Sequence, residues 1–141
     1  MENLAPFISN NLLLVMALVV VLGMLLFNIF GPRLRGYQVV NPTSATQLIN
    51  HSDALIVDVR QDNEFQKGHI INSKHIPLAF LNERLSDLNT YKNKPVIAVC
   101  RSGHRSAQAC SSLKKAGFES VYNLGGGVLA WEGANLPLTK D

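Results

Sequence analysis

In the stretch "VIAVCRSGHRSAQAC", Val96 to Cys110, an apolar run ends in Cys100 and is followed at once by two arginines, a glycine and a histidine. The reactive form of cysteine is the thiolate, which cationic neighbours and inward-pointing backbone N–H groups stabilise. Arg101 and Arg105 bring the charge, Gly103 allows a tight turn, and a helix predicted to begin there would aim its N-terminus at the sulfur. In comparable settings the thiol pKa falls from about 8.5 to roughly 3.5–7.5. The chemistry implied is nucleophilic attack by sulfur at an anion-binding loop.

Spacing narrows that chemistry. A cysteine phosphatase, or an arsenate reductase of that type, places arginine six positions after the nucleophile so that the loop wraps a tetrahedral anion; here that position is Ser106, and Arg105 comes one earlier. The shorter loop suits a smaller group, such as a sulfur atom carried on sulfur. The plain alternative is a small buried residue at a strand end beside solvated arginines.

The elements that must position Cys100 are legible around it. "ALIVDV", Ala54 to Val59, and Pro95 to Val99 read as continuous apolar strands of a parallel sheet. Shorter strands are expected at Tyr37–Val40, around His75 and Ile76, and at Val121–Leu124. Between them helices are predicted from the caps at Asn41–Ser44 through Ile49, over Gln61–Lys67, from Pro77 through Leu85, over Gly103–Ala116, and around Trp131. On the Gly103–Ala116 helix, Ala107, Cys110 and Leu113 fall on one face. Strand–helix alternation gives an α/β domain, and Cys100 stands at the carboxyl end of a central strand, where open α/β sheets bind ligands.

The chain has 141 residues, enough for one modest domain and something more. The addition is N-terminal. Residues 1–11 form a short tail, 12–30 are apolar except for Gly23 and Asn28, and 31–36 make a brief linker to a domain over 37–141. Nineteen helical residues span about 28 Å, close to the roughly 30 Å hydrocarbon core of a bilayer, and Gly31-Pro32 is expected to stop the helix. A cleaved signal peptide would start basic and end in a small-residue site, whereas this segment starts with Glu2 and ends at Phe30-Gly31-Pro32. A buried core helix is the third reading. Arg33 and Arg35 follow the segment, so the positive-inside rule puts the domain on the cytoplasmic side of the inner membrane as a single-pass protein, N-terminus outside. Two cysteines there stay reduced. Net charge is +3, but the basic residues are scattered with no aromatic-interleaved patch, so no nucleic-acid partner is expected.

Three stretches in order, "LIVDVRQDNEFQKGHI", "VIAVCRSGHRSAQAC" and "GFESVYNLGGGVLAWEGANLPL", resemble the signatures of single-domain rhodaneses, the thiosulfate sulfurtransferase family, over about Tyr37 to Leu138. The resemblance implies a rhodanese-like, five-stranded, mainly parallel sheet flanked by helices. It implies that Cys100 takes sulfane sulfur from a small anionic donor as a persulfide and passes it to a thiol acceptor, cradled by Arg101, Ser102, Gly103, His104 and Arg105. It implies that Asp58 and Arg60 brace the active side of the sheet, with Asp58 able to reach Arg105 from behind. No metal or organic cofactor is required. Ile71 to Lys74 depart from the family's usual small, Gly- or Ala-containing stretch. The rival function is a membrane-tethered interaction module that engages a membrane or cytosolic protein, with catalysis secondary.

The remaining candidates have ordinary readings beside the functional ones. His104 either tunes Cys100 or faces solvent. Cys110 is a resolving thiol or a small core residue. Glu64 caps or pairs locally, His69 is a structural hydrogen-bonding residue, and His69 and His75 lack metal-ligand spacing. Gly125 to Gly127 do not match a dinucleotide fingerprint and serve a tight turn, and Trp131 belongs to the core.

Overall fold

The computed structural model describes residues 3–141. It separates into two compact units, up to Arg35 and from Gly36 onward.

The first unit holds two helices, α1 (Leu4–Asn10) and α2 (Leu12–Leu34). The tail of residues 1–11 thus contains a helical segment of its own among its described residues, and α1 ends where the Asn11 side chain donates to the Phe7 carbonyl at 3.0 Å. Leu12–Gly31 has a mean hydropathy of 2.9 and, Gly31 apart, no buried residue, and it is long and apolar enough to cross a membrane. The expected stop at Gly31-Pro32 does not occur, since α2 continues to Leu34. The φ of a proline is itself helical, and a preceding glycine has no Cβ to make the clash that usually keeps helices from entering proline.

The second unit contains β1 (Gln38–Val40), α3 (Pro42–Ser52), β2 (Leu55–Asp58), α4 (Asp62–Gln66), β3 (Lys74–His75), β4 (Pro95–Val99), α5 (His104–Lys115), β5 (Ser120–Leu124) and α6 (Gly127–Gly133). The five strands form one all-parallel sheet in the order β1-β5-β4-β2-β3. Asn41 caps α3, its side chain accepting from the Ser44 N–H at 2.8 Å, and α3 runs three residues past Ile49 to a left-handed Asp53.

Strand parity divides the core. Val96, Ala98 and Cys100 point to one face with Val57, Val59 and Val121, and α5 covers them with Ala109, Cys110 and Leu113. Ile97, Val99, Ile56 and Leu124 point to the other face, against Ala45, Val128 and Trp131. Burying each such apolar side chain contributes roughly 1.5–3 kcal/mol. The buried stripe of α5 is Ser106, Ala109, Cys110 and Leu113, so Ala107 is not part of it as expected. That stripe follows the helical i, i+3, i+4, i+7 rule, with a serine in its first place that apolar counting passes over.

The expected helix from Pro77 to Leu85 is replaced by two 3-10 turns, Leu78–Phe80 and Leu85–Tyr91. Pro77 is extended (φ −53°, ψ 143°) because the chain is still bonded to the sheet end, Ile76 N–H to Asp58 C=O at 3.0 Å and Leu78 N–H to Val59 C=O at 3.1 Å. The pairs Leu78/Leu81 and Leu85/Leu88 are three apart, a spacing a 3-10 turn brings to one side.

Candidate active site

β4 delivers Cys100 to the carboxyl edge of the sheet, between its paired neighbours β2 and β5. The residue is 1% exposed. After it the chain turns through Arg101–Gly103 and enters α5, with Gly103 at the N-cap and a φ of +98°. The Gly103 N–H donates to Cys100 Sγ at 3.0 Å, and the left-handed φ, which favours glycine, turns the chain from the loop into α5. The Ser106 hydroxyl lies 3.3 Å from the same sulfur. Burial pushes the thiol pKa up. The Ser106 hydroxyl and the backbone N–H groups of Ser106, Ser102 and Gly103 pull it down further, so the net shift is downward from 9.0.

The glycine triplet supports this loop from behind. Val128 N–H donates to the Cys100 carbonyl at 2.9 Å and Leu129 N–H to the Arg101 carbonyl at 3.2 Å. The N-terminus of α6 thus binds the backbone of the cysteine loop. A Cβ on Gly127 would overlap the Cys100 carbonyl oxygen and the Arg101 carbonyl group, and Gly127 has a φ of +58°. The triplet is therefore a seat for the loop as well as a turn, a role that its sequence pattern did not disclose.

Arg105 enters from the first turn of α5, and its Nη1 and Nη2 donate two hydrogen bonds of 2.8 Å, one to each carboxylate oxygen of Glu64 on α4. The expectation that Glu64 pairs only locally is corrected, since its partner is 41 residues away. The Arg105 bonds hold the Glu64 carboxyl below its usual range against the opposing effect of burial, and Glu64 in turn raises Arg105. Asp58 does not bond Arg105. Its carboxylate is occupied by Arg60, whose Nε and Nη2 donate to it at 3.0 and 2.7 Å and whose Nη2 also donates to the Gly68 carbonyl at 2.8 Å. Both partners are buried, so this pair fixes the end of β2 to the start of the next loop. Arg101, Ser102 and His104 stand exposed on the mouth of the loop.

Further out, Phe65 is stacked between His69 (3.8 Å) and His75 (4.2 Å). His75 Nε2 meets the Arg60 carbonyl at 2.8 Å, and His69 joins Thr139 in a two-bond antiparallel bridge. His69 and His75 are thus structural hydrogen-bonding residues, and no group of three or more metal-ligating side chains occurs among the described residues. The departing stretch at Ile71–Lys74 forms a turn with Asn72 at a φ of +62°, a conformation asparagine tolerates. Cys110 is fully buried, its thiol pushed up to about 12, chiefly by burial, and its Sγ faces the Tyr122 carbonyl at 3.4 Å. It behaves as a core residue.

The arrangement can stabilise an anionic sulfur at Cys100 and admit an anion from the exposed side of the loop. Residues 41–134 match the profile of the Rhodanese-like domain family. The uncharacterized protein YibN of Escherichia coli K12 is 36% identical over 141 residues, 99% of each chain. A protein of Allochromatium vinosum named a sulfurtransferase is 37% identical over 92 residues, 65% of this chain and 84% of its own. The crystal structure of a rhodanese-related protein from Thermoplasma volcanium superposes with a TM-score of 0.67 at 28% identity, over 74% of this chain and 100% of that one.

Proposed function

The chain belongs to the family of rhodanese-like domains, and from that premise we propose that it is a sulfurtransferase that loads sulfane sulfur onto Cys100 as a persulfide and passes it to a thiol. The observation that carries this reading is the Cys100 sulfur at the end of β4, bonded by the Gly103 N–H at 3.0 Å, with its pKa lowered despite burial. An anionic donor such as thiosulfate approaches over Arg101, Ser102 and His104. The Cys100 thiolate attacks the donor's outer sulfur, a new S–S bond forms, and the donor's own S–S bond breaks with its electron pair leaving on sulfite. An acceptor thiolate then attacks the outer sulfur of the persulfide, and the Cys100 thiolate departs into the loop amides that stabilise its charge.

In this reading α2 is a membrane anchor, and Arg33 and Arg35 keep the domain on the cytoplasmic side. Thiol labelling of intact cells with an impermeant reagent checks that placement: Cys100 stays unlabelled until the cells are opened, and labelling of intact cells would overturn it.

Full-length protein in detergent micelles tests the activity through formation of thiocyanate from thiosulfate and cyanide. The expected result is turnover that disappears in Cys100→Ala. Folded protein with a free Cys100 thiol that turns over neither thiosulfate nor a low-molecular-weight persulfide would overturn the reading in favour of a tethered interaction module.

A further inference from the structure

Behind the nucleophile three buried polar side chains are one hydrogen short once Cys100 is a thiolate. Cys100, Ser106 and Asn123 are 1%, 0% and 5% exposed. They meet because β5 pairs with β4 so that Asn123 stands beside Ala98, on the face that carries Cys100 and that α5 covers. The Asn123 Nδ2 donates to the Gly103 carbonyl at 3.1 Å. That bond fixes the amide, because the flipped orientation would set Oδ1 against a carbonyl oxygen with no hydrogen between them. Oδ1 therefore faces the Ser106 hydroxyl at 2.6 Å, and only Ser106 can supply the hydrogen between those two oxygens.

Serine has a single O–H. While Ser106 donates to Asn123, its oxygen can only accept from Cys100, 3.3 Å away, and that requires a neutral S–H. A thiolate has no hydrogen to give, so lone pairs would then face each other unless the hydroxyl turned to the sulfur. We propose that the Ser106 hydroxyl is a two-position donor, turned to Asn123 when Cys100 carries hydrogen and to Cys100 when it is a bare thiolate, with Asn123 the positioning residue that sets the balance. The Ser106 O–H bond never breaks in this cycle; the hydroxyl rotates. The Cys100 proton leaves to solvent before attack. When the acceptor takes the outer sulfur, the electron pair of the persulfide bond returns to Cys100, and the hydroxyl is its donor.

The other charged or titratable groups around the sulfur are Arg101 and His104 in its own loop and Arg105 and Cys110 on α5. Asp58 and Arg60 at the end of β2 and Glu64 on α4 complete the set. β5 presents Asn123 on this face, and α6 presents its backbone through Val128 and Leu129. Ser106 is the side-chain hydroxyl that reaches Sγ among the described residues. The catalytic meaning of the switch rests on the sulfurtransferase reading, but the test below reads the proton itself.

The rate of Cys100 alkylation by iodoacetamide is followed against pH on full-length protein in micelles, with Cys100 and Cys110 resolved by peptide mass. Ser106→Ala removes the donor and raises the midpoint by about one pH unit or more, the effect of one hydrogen bond to a charged group. Asn123→Leu removes the competing acceptor and lowers the midpoint. In the Ser106→Ala background Asn123→Leu no longer lowers the midpoint, because the lowering acts only through the hydroxyl, and loss of the bond to Gly103 can only raise it. Asn123→Asp also loses the bond to Gly103 but keeps an acceptor, so it raises the midpoint, and by more with Ser106 present than without it. An upward or absent shift in Asn123→Leu, or a downward shift that persists without Ser106, overturns the proposal. If Asn123→Leu does not fold, the Asn123→Asp comparison decides alone. Should the midpoints move as stated while no sulfur is transferred, the sulfurtransferase reading fails and this one stands.

Discussion

Glu64 on α4 and Arg105 on α5 are joined by two parallel hydrogen bonds of 2.8 Å, which lock the guanidinium at the edge of the cysteine loop. Arginine is planar and forked, so a carboxylate gripping two of its nitrogens fixes its orientation as well as its place. The Arg105 guanidinium is then held in one orientation rather than free to sweep through solvent.

Glu64 should therefore act on catalysis only through Arg105. Glu64→Ala is expected to lose about tenfold in kcat/KM with thiosulfate, equivalent to roughly 1.4 kcal/mol, and Arg105→Ala more. The double variant should be no worse than Arg105→Ala alone. Steady-state kinetics of the four proteins check this, and additive losses would show that Glu64 works independently. The pair also carries a pH signature. The Glu64 carboxyl is lowered from 4.5, so its contribution is fully present above that value and is lost as pH falls through its lower folded value. A stability profile of Glu64→Gln should match the wild type more closely in acid than at neutral pH.

The two cysteines should separate cleanly by reactivity. The Cys100 thiol is lowered from 9.0 and Cys110 is pushed up to about 12. Alkylation of Cys100 should rise with a midpoint below 9.0, while Cys110 stays unmodified until the protein unfolds. Cys110→Ala should still take up sulfur and should cost about 1 kcal/mol of stability through lost packing, measured by urea denaturation.

Gly127 tests the seat beneath the loop. Gly127→Ala places a methyl on the carbonyls of Cys100 and Arg101 and strains a φ of +58°, so it should destabilise by roughly 2–4 kcal/mol and abolish turnover. Gly133→Ala is the control in the same helix. No atom lies within 4 Å of its added Cβ, and it should be neutral or stabilise by up to about 1 kcal/mol. Thermal melts of the two variants give the comparison.

The buried pair of Asp58 and Arg60 should behave as a structural clamp. Asp58→Ala leaves the Arg60 guanidinium, 5% exposed, with only the Gly68 carbonyl among its side-chain partners and should cost about 3–5 kcal/mol. Its effect on thiosulfate kinetics, in protein that remains folded, should be small beside that of Arg105→Ala, because Asp58 does not bond Arg105. Kinetics equal to those of Arg105→Ala would contradict that placement.

The parts of this fold that were legible in sequence are those governed by local rules. The apolar runs at Leu55–Asp58 and Pro95–Val99 and the cap at Asn41 carry their structure in their own residues. What could not be read depends on partners distant in the chain. Glu64 finds Arg105 across 41 residues, and no local spacing announces that. Ser106 reaches the sulfur from α5, and its partner Asn123, 17 residues on, comes to it only through the register of β5 beside β4. Pro77 has the residue type that opens a helix, but bonds from Ile76 and Leu78 to the end of the sheet keep the chain extended there. The sequence signal of the seat is three consecutive glycines after a strand, more than a turn alone requires.

The most direct measurement is the intact mass of full-length protein, reduced, incubated with thiosulfate and desalted, beside Cys100→Ala. The account predicts a gain of one sulfur atom per chain that is absent from the variant and is removed by a thiol or by cyanide. Folded protein whose free Cys100 gains no sulfur from thiosulfate or from a small persulfide would contradict it.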